Sequence, residues 1–307
     1  DGSRPPKTVE QYRWLVERHI LPTMGGKQMD RVTRQDVRKL LEAKSRQTVE
    51  NGGPDKRTLS ANTLRLIRAV LQSAYNDALG ADIVARNPAE KVALPSGATQ
   101  PEAKGKGFLD PAEADRLYQA CADCDLGDLF AFMLQTGTRI GEATGLRWQD
   151  VDLGESPHVV IAGQLSRLDG RLQYVPRTKG KRSRALPLPS SLAERLKALK
   201  GSQTLSGVSD PDGIVFLNAD GRRIDPKHAN NRLKALCVRA GVPPVSAHKL
   251  RHTVGTLLRS QGVPDYHVQQ LLGHSQLSLT VNLYGAHSTQ EMLRPAADLL
   301  SFTDRKD

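Results

Sequence analysis

The chain has 307 residues, with 44 Lys and Arg against 33 Asp and Glu, a net charge of +11, and 38% hydrophobic residues. At about 100–200 residues per domain this length makes two domains, each able to bury a core. No stretch approaches the ~18 uninterrupted apolar residues of a membrane span. The 26 Gly lack a triplet period and the three Cys are too few to staple a scaffold, while the basic excess points to a polyanion.

The start, Asp1-Gly2-Ser3-Arg4-Pro5-Pro6, has no initiator Met and no apolar signal core, and Gly2-Ser3 has the look of a cloning scar. The expectation is a fragment with a segment removed upstream. From Thr8 to about Leu94 the pattern is helical. Thr8 and Gln11 read as a capping box, followed by Tyr12, Leu15, Val16, His19 and Ile20 at helical spacing. Thr33 opens a second helix with Val37, Leu40 and Leu41 on one face, and Lys44 to Leu59, holding Asn51-Gly52-Gly53-Pro54, reads as a loop. A third helix from near Asn62 carries Leu64, Ile67, Leu71 and Ala78 and stops at Gly80; Asn87-Pro88 starts a last turn. Residues 1–95 thus make a small helical domain, and residues 96–106, rich in Pro, Gly and small polar residues, a linker.

The second domain, 107–307, opens on the cap Asp110-Pro111-Ala112-Glu113 and stays helical to about Leu146. Cys121 and Cys124 form a lone C-x-x-C within helix; with Cys237 they read as ordinary thiols near a core, suited to a reducing cytoplasm. Trp14 and Trp148 read as core. His158–Ile161, Leu172–Val175 and Arg184–Leu188 read as strands, the first two joined by a hairpin at Asp169-Gly170, with a basic turn from Thr178 to Ser183 before the third. Helices resume at Ser190, Asp225, Ala247 and Pro264 and continue past Ser288. The fold class expected is mainly α with a small antiparallel β-sheet (α+β). Residues 1–100 carry +6 and the remainder +5, so both domains are basic.

The C-terminal stretch is chemically unusual. Five of the eight His fall after residue 245, and between Val245 and Gln290 the one acid is Asp265. His248 and His252 share a helix face, but Lys249 stands where a zinc protease motif has Glu. Without carboxylates no metal is expected. His248 and Arg251, at i and i+3, instead suit a phosphate. Arg139, in Thr-Gly-Thr-Arg-Ile-Gly-Glu, is spaced to pair with Glu142, which would orient it. Lys179 sits in the basic tip with Lys181, Arg182 and Arg184, and Leu271-Leu272-Gly273-His274-Ser275 precedes Tyr284.

Together Arg139, Lys179, His248-Lys-Leu-Arg251, Leu-Leu-Gly-His274 and Tyr284, in this order and spacing, resemble the tyrosine recombinases, the phage-type integrases. Residues 8–94 are similar to that family's helical core-binding domain (Thr63-Leu64, Tyr75-Asn76-Asp77-Ala78, Asn87-Pro88). The resemblance implies that Tyr284 is the nucleophile and forms a 3′-phosphotyrosine, that Arg139 and Arg251 hold the non-bridging oxygens, and that Lys179 protonates the leaving 5′-oxygen. The choice of Lys179 over Lys181 rests on the family's pattern. His248 is implied as base or hydrogen-bond partner and His274 as support for the phosphate or the Tyr; His252 and His287 read as groups behind the site or on the surface rather than catalytic ones. Physically, cations and a base must activate a phenol of pKa about 10. Two Arg and one Lys supply the electrostatics, so neither metal nor cofactor is needed.

The implied function is site-specific recombination, integrating or excising a phage or mobile element in the cytoplasm of a bacterial host, associated with the nucleoid. The implied partners are double-stranded DNA at core sites, further copies in a homo-tetramer, with Ser288 to Ser301 packing on a neighbouring protomer, and accessory DNA-bending or directionality proteins. A small arm-binding domain would be the upstream piece. For DNA contact outside the site the candidates are Arg34, Lys39, Arg65 and Arg68, on faces opposite or flanking the apolar stripes, with Lys181 and Arg182 at the basic tip. The alternatives are a type IB topoisomerase-like relaxing enzyme and a basic DNA-binding protein without catalysis.

Overall fold

The computed structural model describes residues 6–49, 57–95, 107–168, 170–176, 183–273 and 286–302, and the chain divides into two compact units, Asp1–Ala103 and Lys104–Asp307. The first unit opens on a rod made of α1 (Pro6–Leu15), a π-helical stretch (Val16–Ile20) and α2 (Leu21–Met24). The helix begins at Pro6, upstream of the expected Thr8 cap, because the fixed φ of proline suits a first helical turn. The π stretch lies just before Pro22, which lacks an N–H and displaces the carbonyl four residues back, so the ladder widens there. Leu15, His19 and Ile20 are buried, but Trp14, expected in the core, is 53% exposed. It shares the solvent face with Glu10, Arg13, Glu17, Arg18 and Leu21, all at helical spacing from one another.

Thr33 and Asp36 close a reciprocal cap on α3 (Arg34–Arg46), which buries Val37, Leu40 and Leu41. The stretch read as loop contains a ladder between β1 (Thr48–Val49) and β2 (Arg57–Thr58), so the first unit is not helical throughout. The β-branched residues Thr48, Val49 and Thr58 favour that pairing. Ser60 caps α4 (Ala61–Gly80), whose stripe from Leu64 to Ala78 is buried against α3 and the rod. The Asn87 amide donates to Gln72 O at 3.0 Å and Asn76 Oδ1 at 2.7 Å, pinning the last turn to α4.

The second unit starts with α5 (Pro111–Gln119), held by the reciprocal Asp110–Glu113 cap. Next comes α6 (Gly127–Thr136), buried from Leu129 to Thr136; such an all-round apolar helix belongs at the centre of a unit. It ends in Gly137, with a left-handed φ of +62°, before α7 (Ile140–Thr144). The strands differ from the expected hairpin. β4 (His158–Ile161) pairs on one side with β3 (Val151–Asp152) and on the other with β7 (Arg184–Pro187), in the register Val159 to Leu186. The hairpin spanning Asp169-Gly170 joins β5 (Gly163–Leu168) to β6 (Arg171–Pro176). β5 escapes sequence reading because Gly-Gln-Leu-Ser-Arg-Leu lacks an alternating apolar pattern; its Gly163 leaves room for the Tyr174 ring, which any Cβ would strike.

Five helices follow: α8 (Ser190–Ser206), α9 (Pro226–Arg239), α10 (Ala247–Ser260), α11 (Asp265–Leu272) and α12 (Ala286–Asp298). α12 packs on its own unit. Leu293, Ala296 and Leu300 enter the core, Phe302 stacks on Tyr118 at 5.2 Å, and Arg294 donates to the Leu188 and Pro157 carbonyls. Trp148 is half-buried against the same core. All three thiols are free, and burial pushes the Cys121 thiol up to about 12. Among the described residues no helix is long and apolar enough to cross a membrane.

Candidate active site

The site is built where three elements end. Gly137 terminates α6 and lies so close to Leu272 and Val254 that a Cβ there would meet both. Two residues on, Arg139 occupies the N-cap of α7 with extended backbone, which turns its side chain outward; the residue is exposed. α7 is held down by its glycines: a Cβ on Gly145 would come within 2.5 Å of Leu165 N, and one on Gly141 within 3.2 Å of Leu165 O. These two glycines, one helical turn apart, let α7 lie directly on the backbone of β5. From α10, Arg251 rises from a buried position, 5% exposed, and His248 stands one turn earlier on the same face, exposed near the helix start capped by Ser246.

The last three carbonyls of α11 and its cap organise the arginines. Arg251 donates to Leu272 O and, at 2.8 Å, to Gly137 O. Arg139 Nη2 approaches Gly273 O at 3.5 Å, and Arg184 Nε donates to Leu271 O at 3.3 Å. A helix C-terminus leaves carbonyls unsatisfied and carries partial negative charge, so three guanidinium groups there are favourable. Beneath them sits Glu142, buried to 4% exposure. Its Oε1 accepts from Arg139 Nη1 and Arg184 Nη1, both at 3.1 Å; its Oε2 accepts from the Arg139 backbone N–H at 3.1 Å and Arg184 Nη2 at 2.8 Å. Burial pushes this carboxyl up, but the hydrogen bonds and charge of Arg184, followed by those of Arg139, outweigh burial and bring it to about 2.

The structure therefore brings Arg139, Arg251 and Glu142 together, with His248 on the helix face of Arg251. Lys179, Lys181, Arg182, His274 and Tyr284 lie outside the described residues. Gly273, the last described residue before His274, has a φ of +66° and packs on Arg184. Sequence reading missed Arg184, which it placed at the edge of the basic tip. Its partner Glu142 lies 42 residues away, and the available signal was a Glu already matched to one cation yet flanked by small, core-forming residues. His252 is exposed beside Phe108, at 5.9 Å between rings. In the first unit Arg34 and Lys39 are exposed on α3 and, with Arg38, line a shallow groove. Arg65 is exposed, whereas Arg68 turns back to donate to Val92 O at 2.7 Å, so these two do not form a matched pair. Among the described residues no His, Cys, Asp and Glu cluster could hold a metal ion.

The sequence and fold have known relatives. A model of the phage integrase family matches residues 107–291. Tyrosine recombinase XerD of Bifidobacterium longum is 30% identical over 291 residues, covering 89% of this chain and 84% of that protein. A XerC-like tyrosine recombinase of Caldanaerobacter subterraneus subsp. tengcongensis is 32% identical over 249 residues; the match covers 73% of this chain but 62% of that relative's length. Among solved structures, the Tn1549 transposon integrase in complex with transposon right end DNA superposes with a TM-score of 0.71, covering 95% of each chain at 21% identity. A lambda integrase dimer bound to a COC′ core site gives 0.62 over 90% of this chain and 91% of that one, at 17% identity. At these identities the structures show a shared fold.

Proposed function

Because the chain belongs to the phage integrase family of tyrosine recombinases, we propose that it recombines DNA at specific sites, cutting and rejoining strands through a 3′-phosphotyrosine. One observation carries this reading: Arg139 and Arg251, 112 positions apart in sequence, are seated on the adjacent carbonyls Gly273 and Leu272. Two guanidinium groups so placed match the non-bridging oxygens of one phosphate. In this scheme the Tyr284 oxygen attacks the scissile phosphorus and the bond to the 5′-oxygen breaks. The phenol proton passes to His248, and Lys179 supplies a proton to the departing 5′-oxygen. The arginines offset the charge that grows on the pentavalent phosphorus. His274, which follows Gly273 directly, supports the phosphate or the tyrosine. A 5′-hydroxyl from a second strand then reverses the step, so rejoining needs no outside energy source.

Under this reading residues 1–95 and 107–307 are a core-binding and a catalytic domain that grip double-stranded DNA core sites, with Arg34, Lys39 and Arg65 on phosphates. The working form is a homo-tetramer on two duplexes in a bacterial cytoplasm, serving a phage or integrative element, with accessory DNA-bending proteins. The experiment uses a pool of nicked duplexes of randomised sequence, so that no target need be known. The wild type should give a protein–DNA adduct stable to denaturant, and Tyr284→Phe should bind the pool without forming one. Adduct formation by Tyr284→Phe would overturn the assignment.

A further inference from the structure

We propose that Arg184 is a positioning residue of this site: through Glu142 it fixes Arg139, and through the Leu271 carbonyl and Gly273 it fixes the chain just before His274. This rests on the recombinase reading above. The geometry sets Arg184 apart from Arg139. Its side chain is 12% exposed, against 48% for that of Arg139. All three of its nitrogens are already engaged, Nη1 and Nη2 on the two oxygens of Glu142 at 3.1 and 2.8 Å and Nε on Leu271 O at 3.3 Å. That leaves it less free than Arg139 to reach a phosphate and well placed to hold the parts around one. A planar fork spanning both carboxylate oxygens fixes the plane of Glu142 as well as its position. The same carboxylate then accepts from the Nη1 and the backbone N–H of Arg139.

The second contact extends the argument to the other catalytic segment. A Cβ on Gly273 would come within 2.9 Å of the Arg184 Cδ, Nε and Cζ atoms. Glycine is therefore required there twice, by its φ of +66° and by the closeness of this guanidinium. Arg184 opens β7, five residues after Lys179 in sequence, and its side chain touches two further segments that carry or precede proposed catalytic groups.

The role predicts a pH signature. Among the described residues, the cations facing the Glu142 carboxyl are Arg184 from β7 and Arg139 at the start of α7, and burial opposes its ionisation. With Arg184→Gln, Glu142 loses its strongest cationic partner among the described residues and stays buried, so it protonates at higher pH and loosens its hold on Arg139. The test measures the rate of adduct formation on the nicked pool from pH 5 to 9. Arg184→Gln should be slowed about tenfold or more at pH 8, with a steeper fall toward pH 5 than the wild type shows. Arg184→Lys, which restores charge without the fork, should recover the acid limb but only part of the rate. In a Glu142→Gln background Arg184→Gln should add little further loss. Unchanged rates, a loss equal at every pH, or fully multiplicative effects in the double variant would each overturn the role. Adduct formation by the wild type and its absence in Tyr284→Phe, run alongside, test the underlying reading separately. Folding of each variant is checked by its Tm, and Arg184→Lys carries the test if Arg184→Gln does not fold.

Discussion

At the scale of single residues, Glu142 joins stability to function. Its carboxyl is held at about 2 in the folded chain against an ordinary 4.5. A depressed folded value means that its stabilisation is fully present above about pH 4.5 and is lost as pH falls toward 2. Removing one member of a buried ion pair strands the other, at a cost of about 3–5 kcal/mol. Urea unfolding of Glu142→Gln should therefore show a deficit of that order at pH 7, shrinking steadily between pH 4.5 and 2. A deficit unchanged by acid would show that Glu142 is not ionised in the folded protein. The Arg139–Glu142 pairing was legible in the sequence, since i, i+3 spacing is a local rule. The pairing with Arg184 was not, because it depends on how β7 is laid against α7, and no local pattern encodes that.

At the scale of elements, the site depends on how closely backbones approach. α7 is five residues long and makes no core of its own; it is held by β5 beneath it through Gly141 and Gly145. Because the atoms nearest a Cβ on Gly145 are backbone atoms of Gln164 and Leu165, Gly145→Ala must push the helix away. We expect a loss of about 1–3 kcal/mol in stability, as for other overpacked sites, and slower adduct formation because Arg139 moves with the helix. Gly141→Ala, with a nearest approach of 3.2 Å, should cost less. Equal effects, or none, measured by urea unfolding and adduct rate, would contradict this account of α7. Caps and stripes made most helices readable, among them the Thr33–Asp36 and Asp110–Glu113 boxes. What could not be read was pairing at a distance. β5 has no alternation, so its hairpin partner was assigned to β4, whereas β4 in fact lies against β7. Trp14 shows the same limit: its side chain is core-like, but its helical phase places it with the charged face of the rod.

At the scale of the whole molecule, the +11 charge is shared by two basic units, which suits a protein that grips phosphates from more than one surface. Bulk charge sets affinity and salt dependence; it does not break a bond. In the proposed reading the chemistry falls to a few groups gathered at the end of α11, where three arginines meet three successive carbonyls over one buried carboxylate. Everything proposed for that centre leads to one covalent linkage, so the most direct measurement is to locate it. After reaction with the nicked pool, nuclease digestion and proteolysis, mass spectrometry should find the nucleotide remnant on the peptide containing Tyr284, joined through a 3′-phosphate to the phenol oxygen. A remnant on any other residue, or a 5′-linked one, would contradict the account.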